Sequence, residues 1–94
     1  MLKDPMLEWT KTLIISWISI DVESFKEYIY KIPLTTKQRY IILYKYVPNQ
    51  EGNVKPFKEI ENLLKMSHSA VMDEQQKALK IILDNIGTKL FYGF

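Results

Sequence analysis

The chain has no cysteine. Disulfides and thiolate metal sites are therefore excluded, and the composition fits a reducing compartment, with the cytoplasm as the default expectation. Glycine is scarce, at three residues of 94, and proline occurs four times; so few turn-formers disfavour a barrel or sandwich and favour helices. The single histidine, His68, stands without cysteines or a carboxylate constellation and makes no metal site. Long apolar runs are missing too. The longest, LIISWISI at residues 13–20, falls well short of the roughly 20 residues that cross a bilayer as a helix. Asp4, Pro5 and Glu8 precede it where an export signal would be basic, and no small-residue cleavage site follows. The expectation is a chain with no membrane partner.

Catalytic signatures are equally absent. There is no glycine-rich phosphate loop. Ser67 and His68 are adjacent, so at a helix start their side chains point different ways, and no third group completes a triad. No catalytic, cofactor-binding or metal residue is assigned, no cofactor is expected, and the chain does not read as an enzyme.

Excess charge of one sign is small. The net charge of +2 is too mild to mark a nucleic-acid binder by itself. Its distribution is uneven, however. Residues 1–32 carry four Lys against five acids, whereas residues 33–83 carry eight Lys or Arg against five acids. A polyanion would prefer the second part.

What is present is a globular composition, 47% hydrophobic and 26% charged, rich in aromatic residues and short enough for one core. Met6, Trp9, Leu13, Trp17 and Ile20 recur at helical spacing over residues 5–20, predicting one amphipathic helix. Trp9 and Trp17 read as core. If this helix is apolar on more than one face, it could bury one side and offer the other to a protein. Ser24 and Glu27 match a capping box for a short second helix, ending before Pro33. Thr35 and Gln38 repeat that start signal for a third, which runs to Pro48.

Residues 48–53, PNQEGN, predict an exposed loop, the expected mobile element. Pro56 suits a first helical position; Phe57, Ile60, Leu63 and Leu64 form the stripe of a short fourth helix that stops near Lys65. Ser67 caps a fifth, with Val71, Ala78, Leu79 and Ile82 on its inner face and Gly87 as its stop. The expected fold is all-α, a small single-domain bundle of about five helices. It divides into an N-terminal helical hairpin (1–32), a helix-turn-helix unit (33–87) and an apolar tail (88–94) that docks on the domain or meets a partner.

Two short helices joined by a tight turn, the second opened by a capping Ser, match helix-turn-helix spacing. The segment from Leu34 to Ile82 also resembles the fourth region of bacterial sigma factors. The elements of that pattern fall on Leu34, Arg39, Glu59 with Ile60, Leu64, Ser67, Val71, and Ala78 with Leu79. Regulators of the LuxR and ArpU kinds share much of it. Roughly half the chain is covered. The first 32 residues lie outside the pattern, and no counterpart of a promoter-melting region is present, so the chain is not a complete sigma factor.

The resemblance implies a small transcription regulator acting at promoters. DNA contacts would come from Lys55, Lys58, Lys65, Ser67, His68, Ser69, Met72 and Asp73, with Lys37 and Arg39 as further phosphate contacts. The segment departs from the family where DNA is read. Family members commonly place Arg, Glu or Gln just after the capping Ser; here His68, Ser69, Met72 and Asp73 stand there, and Asp carries the wrong sign for phosphates. Lys65 replaces a frequent turn Gly, and Glu74 replaces a core Ile, so Glu74 should face solvent or a Lys, with Gln75 near the boundary. Such depletion keeps two other readings open. One is a protein-binding module on the same fold, directed at RNA polymerase or a sigma factor in a phage or mobile element. The other is a structural or assembly protein. DNA sequence, host and oligomeric state are not legible. The prediction rests on Ile60, Leu64, Val71 and Leu79 meeting in one apolar centre.

Overall fold

The computed structural model describes residues 5–92, with side chains through Ile86. Four helices follow one another: α1 (Pro5–Lys31), α2 (Thr36–Tyr46), α3 (Phe57–Leu64) and α4 (His68–Tyr92). Among the described residues there is no strand, and no helix is long and apolar enough to cross a membrane. The expectation of about five helices is thus corrected to four.

The miscount has a local cause. The first two predicted helices are one element broken at Asp21, whose backbone leaves helical geometry (φ −156°, ψ 89°). Its carboxylate Oδ1 accepts the Ser24 amide at 3.1 Å. Asp21 therefore caps the restarted helix, three residues upstream of the predicted Ser24 start, because an extended Asp meets the orphan amides of the next turn. Trp17 and Phe25 close over the break edge to face, with ring centroids 5.4 Å apart.

The capping box at α2 forms as expected. Thr35 Oγ1 accepts the Gln38 amide at 3.1 Å, and Gln38 Oε1 accepts the Thr35 amide at 3.0 Å. Residues 48–53 close on themselves around Asn49, whose side chain accepts the amides of Glu51 and Asn53. Gly52 supplies the left-handed residue (φ 84°) that this turn requires. The Lys55 amide then donates to the Tyr44 carbonyl at 3.0 Å and seats the loop on α2. Pro56 precedes α3 in extended conformation instead of opening it.

Gly87 does not end α4, which continues through it to Tyr92. One glycine costs a helix interior about 1 kcal/mol relative to Ala, too little to stop a helix with no competing cap. The tail expected at 88–94 is helical in backbone to Tyr92; its docking and residues 93–94 lie outside the described residues.

Helix α4 packs against each of the other three, while among the described residues α3 meets only α2 and α4. The core is double. A larger cluster joins α1, α2 and α4 through Ile14, Phe25, Ile29, Ile42, Leu79 and Ile82, all fully buried. A smaller one holds Ile41, Ile60 and Val71, with Leu64 and Met66 packed against it. The predicted single centre is therefore split. Ile60, Val71 and Leu64 meet, but Leu79, two turns along α4, belongs to the larger cluster.

Among the described residues every buried side-chain polar atom has a hydrogen-bond partner. Gln75, 1% exposed, accepts the Tyr46 hydroxyl at 3.2 Å, and Tyr28 donates to the Ile82 carbonyl at 3.3 Å. Burial pushes both phenols up to about 12, and the carboxylate of Glu8 adds to the shift at Tyr46. These acids ionise near 10 when unfolded, so their contribution is complete below pH 10 and is lost as pH rises toward 12. Alkaline unfolding should thus begin near pH 10, followed by circular dichroism and tyrosinate absorbance. Tyr46→Phe should flatten the pH dependence; an unchanged alkaline limb would contradict this assignment.

Candidate nucleic-acid interface

The segment between α3 and α4 is only three residues long, and its shape is set by Lys65. That residue is left-handed (φ 55°, ψ 48°), and the Met66 amide reaches back to the Glu61 carbonyl at 3.0 Å, a Schellman closure. Glycine is the usual occupant because a Cβ is strained there. Ser67 then caps α4, its Oγ accepting the Ala70 amide at 3.2 Å. Ile60 and Val71, both fully buried, lock the two helices on either side of the turn.

That packing sorts α4 into two faces. Val71, Gln75, Ala78, Leu79 and Ile82 point inward; Ser69, Asp73, Gln76, Lys77 and Lys80 are exposed. The exposed set recurs at three- and four-residue steps and so forms one stripe. Of the candidates on this helix, Ser69 and Asp73 lie on the stripe, Met72 is half-buried, and His68 turns toward α3. The His68 Nδ1 lies 2.8 Å from Glu61 Oε2, and its ring stands edge to face with Phe57. Asp73 is not isolated. Lys77, one turn on, approaches it at 3.1 Å and Glu74 at 3.5 Å. Both carboxylates hold the Lys77 amine above the usual lysine range, with the Asp73 hydrogen bond the largest cause. Lys77 thus sets an opposite charge beside the Asp73 carboxylate on the exposed stripe.

The remaining cations divide. Lys58 and Lys65, near the two ends of α3, are exposed. Lys55 is half-buried, 3.5 Å from Glu59 and 5.7 Å above the Tyr44 ring. Arg39 is engaged within the fold. Its Nε donates to the Ile29 carbonyl at 3.1 Å and its Nη2 to those of Ile32 and Leu34 at 3.4 and 3.3 Å, stitching the end of α1 to α2. Lys37 is exposed and lines an open groove of about 470 Å³ between the first turns of α2 and α4, with Met66, Ala70, Asp73 and Glu74 on the other wall. Glu74 accepts Gln38 Nε2 at 3.0 Å and faces Lys77, whereas Gln75, expected near the boundary, is buried and bonded to Tyr46.

Sequence reasoning missed Gln76, Lys77 and Lys80. The Asp73–Lys77 spacing was a readable signal, since residues four apart on a helix are neighbours. The Glu61–His68 contact had none, because it crosses a turn whose geometry depends on Lys65. Among the described residues, no group of acids and His could hold a metal ion. Comparison with protein-family models, with curated proteins and with solved structures finds no match.

Proposed function

We propose that the chain is a small transcription regulator that binds duplex DNA through a helix-turn-helix formed by α3, its turn and the first half of α4. The observation that carries this reading is the stripe Ser69, Asp73, Gln76, Lys77 and Lys80, held outward by the Ile60–Val71 lock. An outward α4 of this kind fits the major groove, which admits one α-helix. Gln76 is a residue type that reads adenine bidentately. Lys37, Lys58 and Lys65 flank the helix start and suit backbone phosphates. Cytoplasmic action follows from the same reading.

The test is binding of labelled duplex DNA across a salt series. Three phosphate contacts give a log–log slope of about −2.7. Lys58→Ala should reduce the magnitude of that slope by about 1 and weaken all sequences alike. Lys65→Gly separates fold from contact: relief of the left-handed Cβ should raise stability by about 1 kcal/mol while binding weakens. If Lys65→Gly binds as well as the parent, Lys65 is a turn residue and nothing more.

A second reading has its own support. The His68–Glu61 pair and the carboxylate of Asp73 occupy the start of α4 where DNA readers usually carry free cationic or amide groups. A module using this face on RNA polymerase or a sigma factor would keep the fold and dispense with DNA. Absence of any duplex binding at low salt, together with capture of core polymerase, would favour it.

A further inference from the structure

The chain's excess of positive charge is concentrated in one part of the fold. Residues 34–66, which supply α2, the loop and α3, carry six Lys or Arg against three acids. The flanking helices are each slightly acidic, with three Lys against four acids over residues 5–31 and two Lys against three acids over residues 68–86. The cationic part also carries aromatic rings. Tyr40 and Tyr44, one turn apart on α2, are stacked with centroids 5.8 Å apart and planes at 25°. Lys55 lies 5.7 Å above the Tyr44 ring, and Lys45 lies 4.4 Å above that of Phe57. Tyr44 and Phe57 are half-buried against the smaller cluster of Ile41, Ile60 and Val71. Tyr40 belongs to neither cluster and is 41% exposed, so it forms the solvent end of the stack.

We propose that this face binds single-stranded nucleic acid, one unpaired base stacking on Tyr40 while neighbouring phosphates are drawn to Lys37 and Lys55. Two properties select this occupant. Bases in a duplex have both ring faces covered by their neighbours, so only an unpaired base offers one to a protruding ring; stacking of that kind tolerates any base. The second property is charge. Cations adjoining exposed rings match a polyanion whose units are flat. An acidic peptide has the charge without the rings, and a neutral protein surface would leave the lysines unmatched.

Both lysines are placed to take part. Lys37 stands three residues before Tyr40 and is exposed. Lys55 is 3.5 Å from Glu59, a partly exposed pair of the kind that contributes little to stability, so its amine can exchange a carboxylate for a phosphate. Duplex binding would use the α4 stripe whereas this face uses Tyr40, so either can fail alone.

Fluorescence anisotropy of a labelled twelve-nucleotide oligothymidylate, titrated with the full chain at low salt, tests the proposal. Binding should weaken as salt rises, because phosphates are being neutralised. Tyr40→Ala should weaken it by about fivefold or more, as expected for the loss of one stacked base. Tyr40→Phe keeps the ring and should bind like the parent. Trp9→Ala removes an exposed ring from α1 and should change nothing, and circular dichroism establishes that each variant folds. Oligouridylate, run beside oligothymidylate, separates RNA from DNA as the strand preferred; binding of either supports the face. Absence of binding to both, equal binding of an abasic strand, or a Tyr40→Ala variant that binds like the parent overturns the proposal. So does a Tyr40→Ala variant that loses a duplex of the same length as fully as the single strand, which would assign the face to duplex.

Discussion

Phe25→Ala is expected to lower the unfolding free energy by about 3–5 kcal/mol, the range for emptying a buried aromatic site. Phe25 is fully buried and stands just beyond the Asp21 break, with its ring edge on Trp17. It therefore does two things: it fills the main core, and it ties the halves of α1 across a point where backbone hydrogen bonding is interrupted. The cavity cannot close by a simple helix shift, because Trp17 also leans on Tyr28 with centroids 5.0 Å apart. Urea denaturation followed by tryptophan fluorescence measures the loss. Phe25→Leu, which keeps most of the volume, should recover more than half of it. A cost below about 1 kcal/mol for Phe25→Ala would mean that the break is held by something other than this aromatic cluster.

Arg39→Ala should cost about 2–3 kcal/mol, since hydrogen bonds from a charged donor contribute roughly 1.5–3 kcal/mol each and neighbouring bonds do not add in full. The carbonyls of Ile29 and Leu34 lose the guanidinium as donor, and that of Ile32 keeps only the Leu34 amide. The planar guanidinium reaches all three and also lies over the Tyr30 ring at 5.5 Å. Lysine, a point charge without the fork, should not restore stability. If Arg39→Ala leaves the unfolding midpoint unchanged but reduces DNA affinity, Arg39 acts at a phosphate and its packing contacts are incidental.

Much of this architecture was legible in the residues. The Thr35–Gln38 capping box, the Pro48 stop, the Lys65 turn and the Ser67 cap are local signals whose geometry depends on a few neighbouring atoms. The Asp21 cap was harder. Asp21 sits within a continuous run of helix-compatible residues, and Ser24 offered a stronger local start signal. Gly87 misled for the opposite reason: a preference worth about 1 kcal/mol was read as a stop. The division of the core was beyond local reasoning, because Val71 and Leu79 share a face of α4 and only the placement of α3 separates them.

The site follows the same logic. Exposure of Ser69 and Asp73 followed from helical periodicity alone. The role of Arg39 did not, because its carbonyl partners come from the end of α1 and the turn after it. A cation that matches a family pattern can thus serve a turn as well as a phosphate, and only tertiary geometry decides.

The small satellite cluster has a dynamic consequence. Only one side chain of α3, Ile60, is fully buried, and an eight-residue helix has little stability of its own. Detaching it exposes Ile41, Ile60 and Val71 while leaving the larger cluster closed, so α3 can open as a separate cooperative unit below the free energy of global unfolding. A macromolecule that grips both α3 and α4 would suppress this opening and gain a slow-exchanging amide signature in α3, at the expense of part of its binding energy.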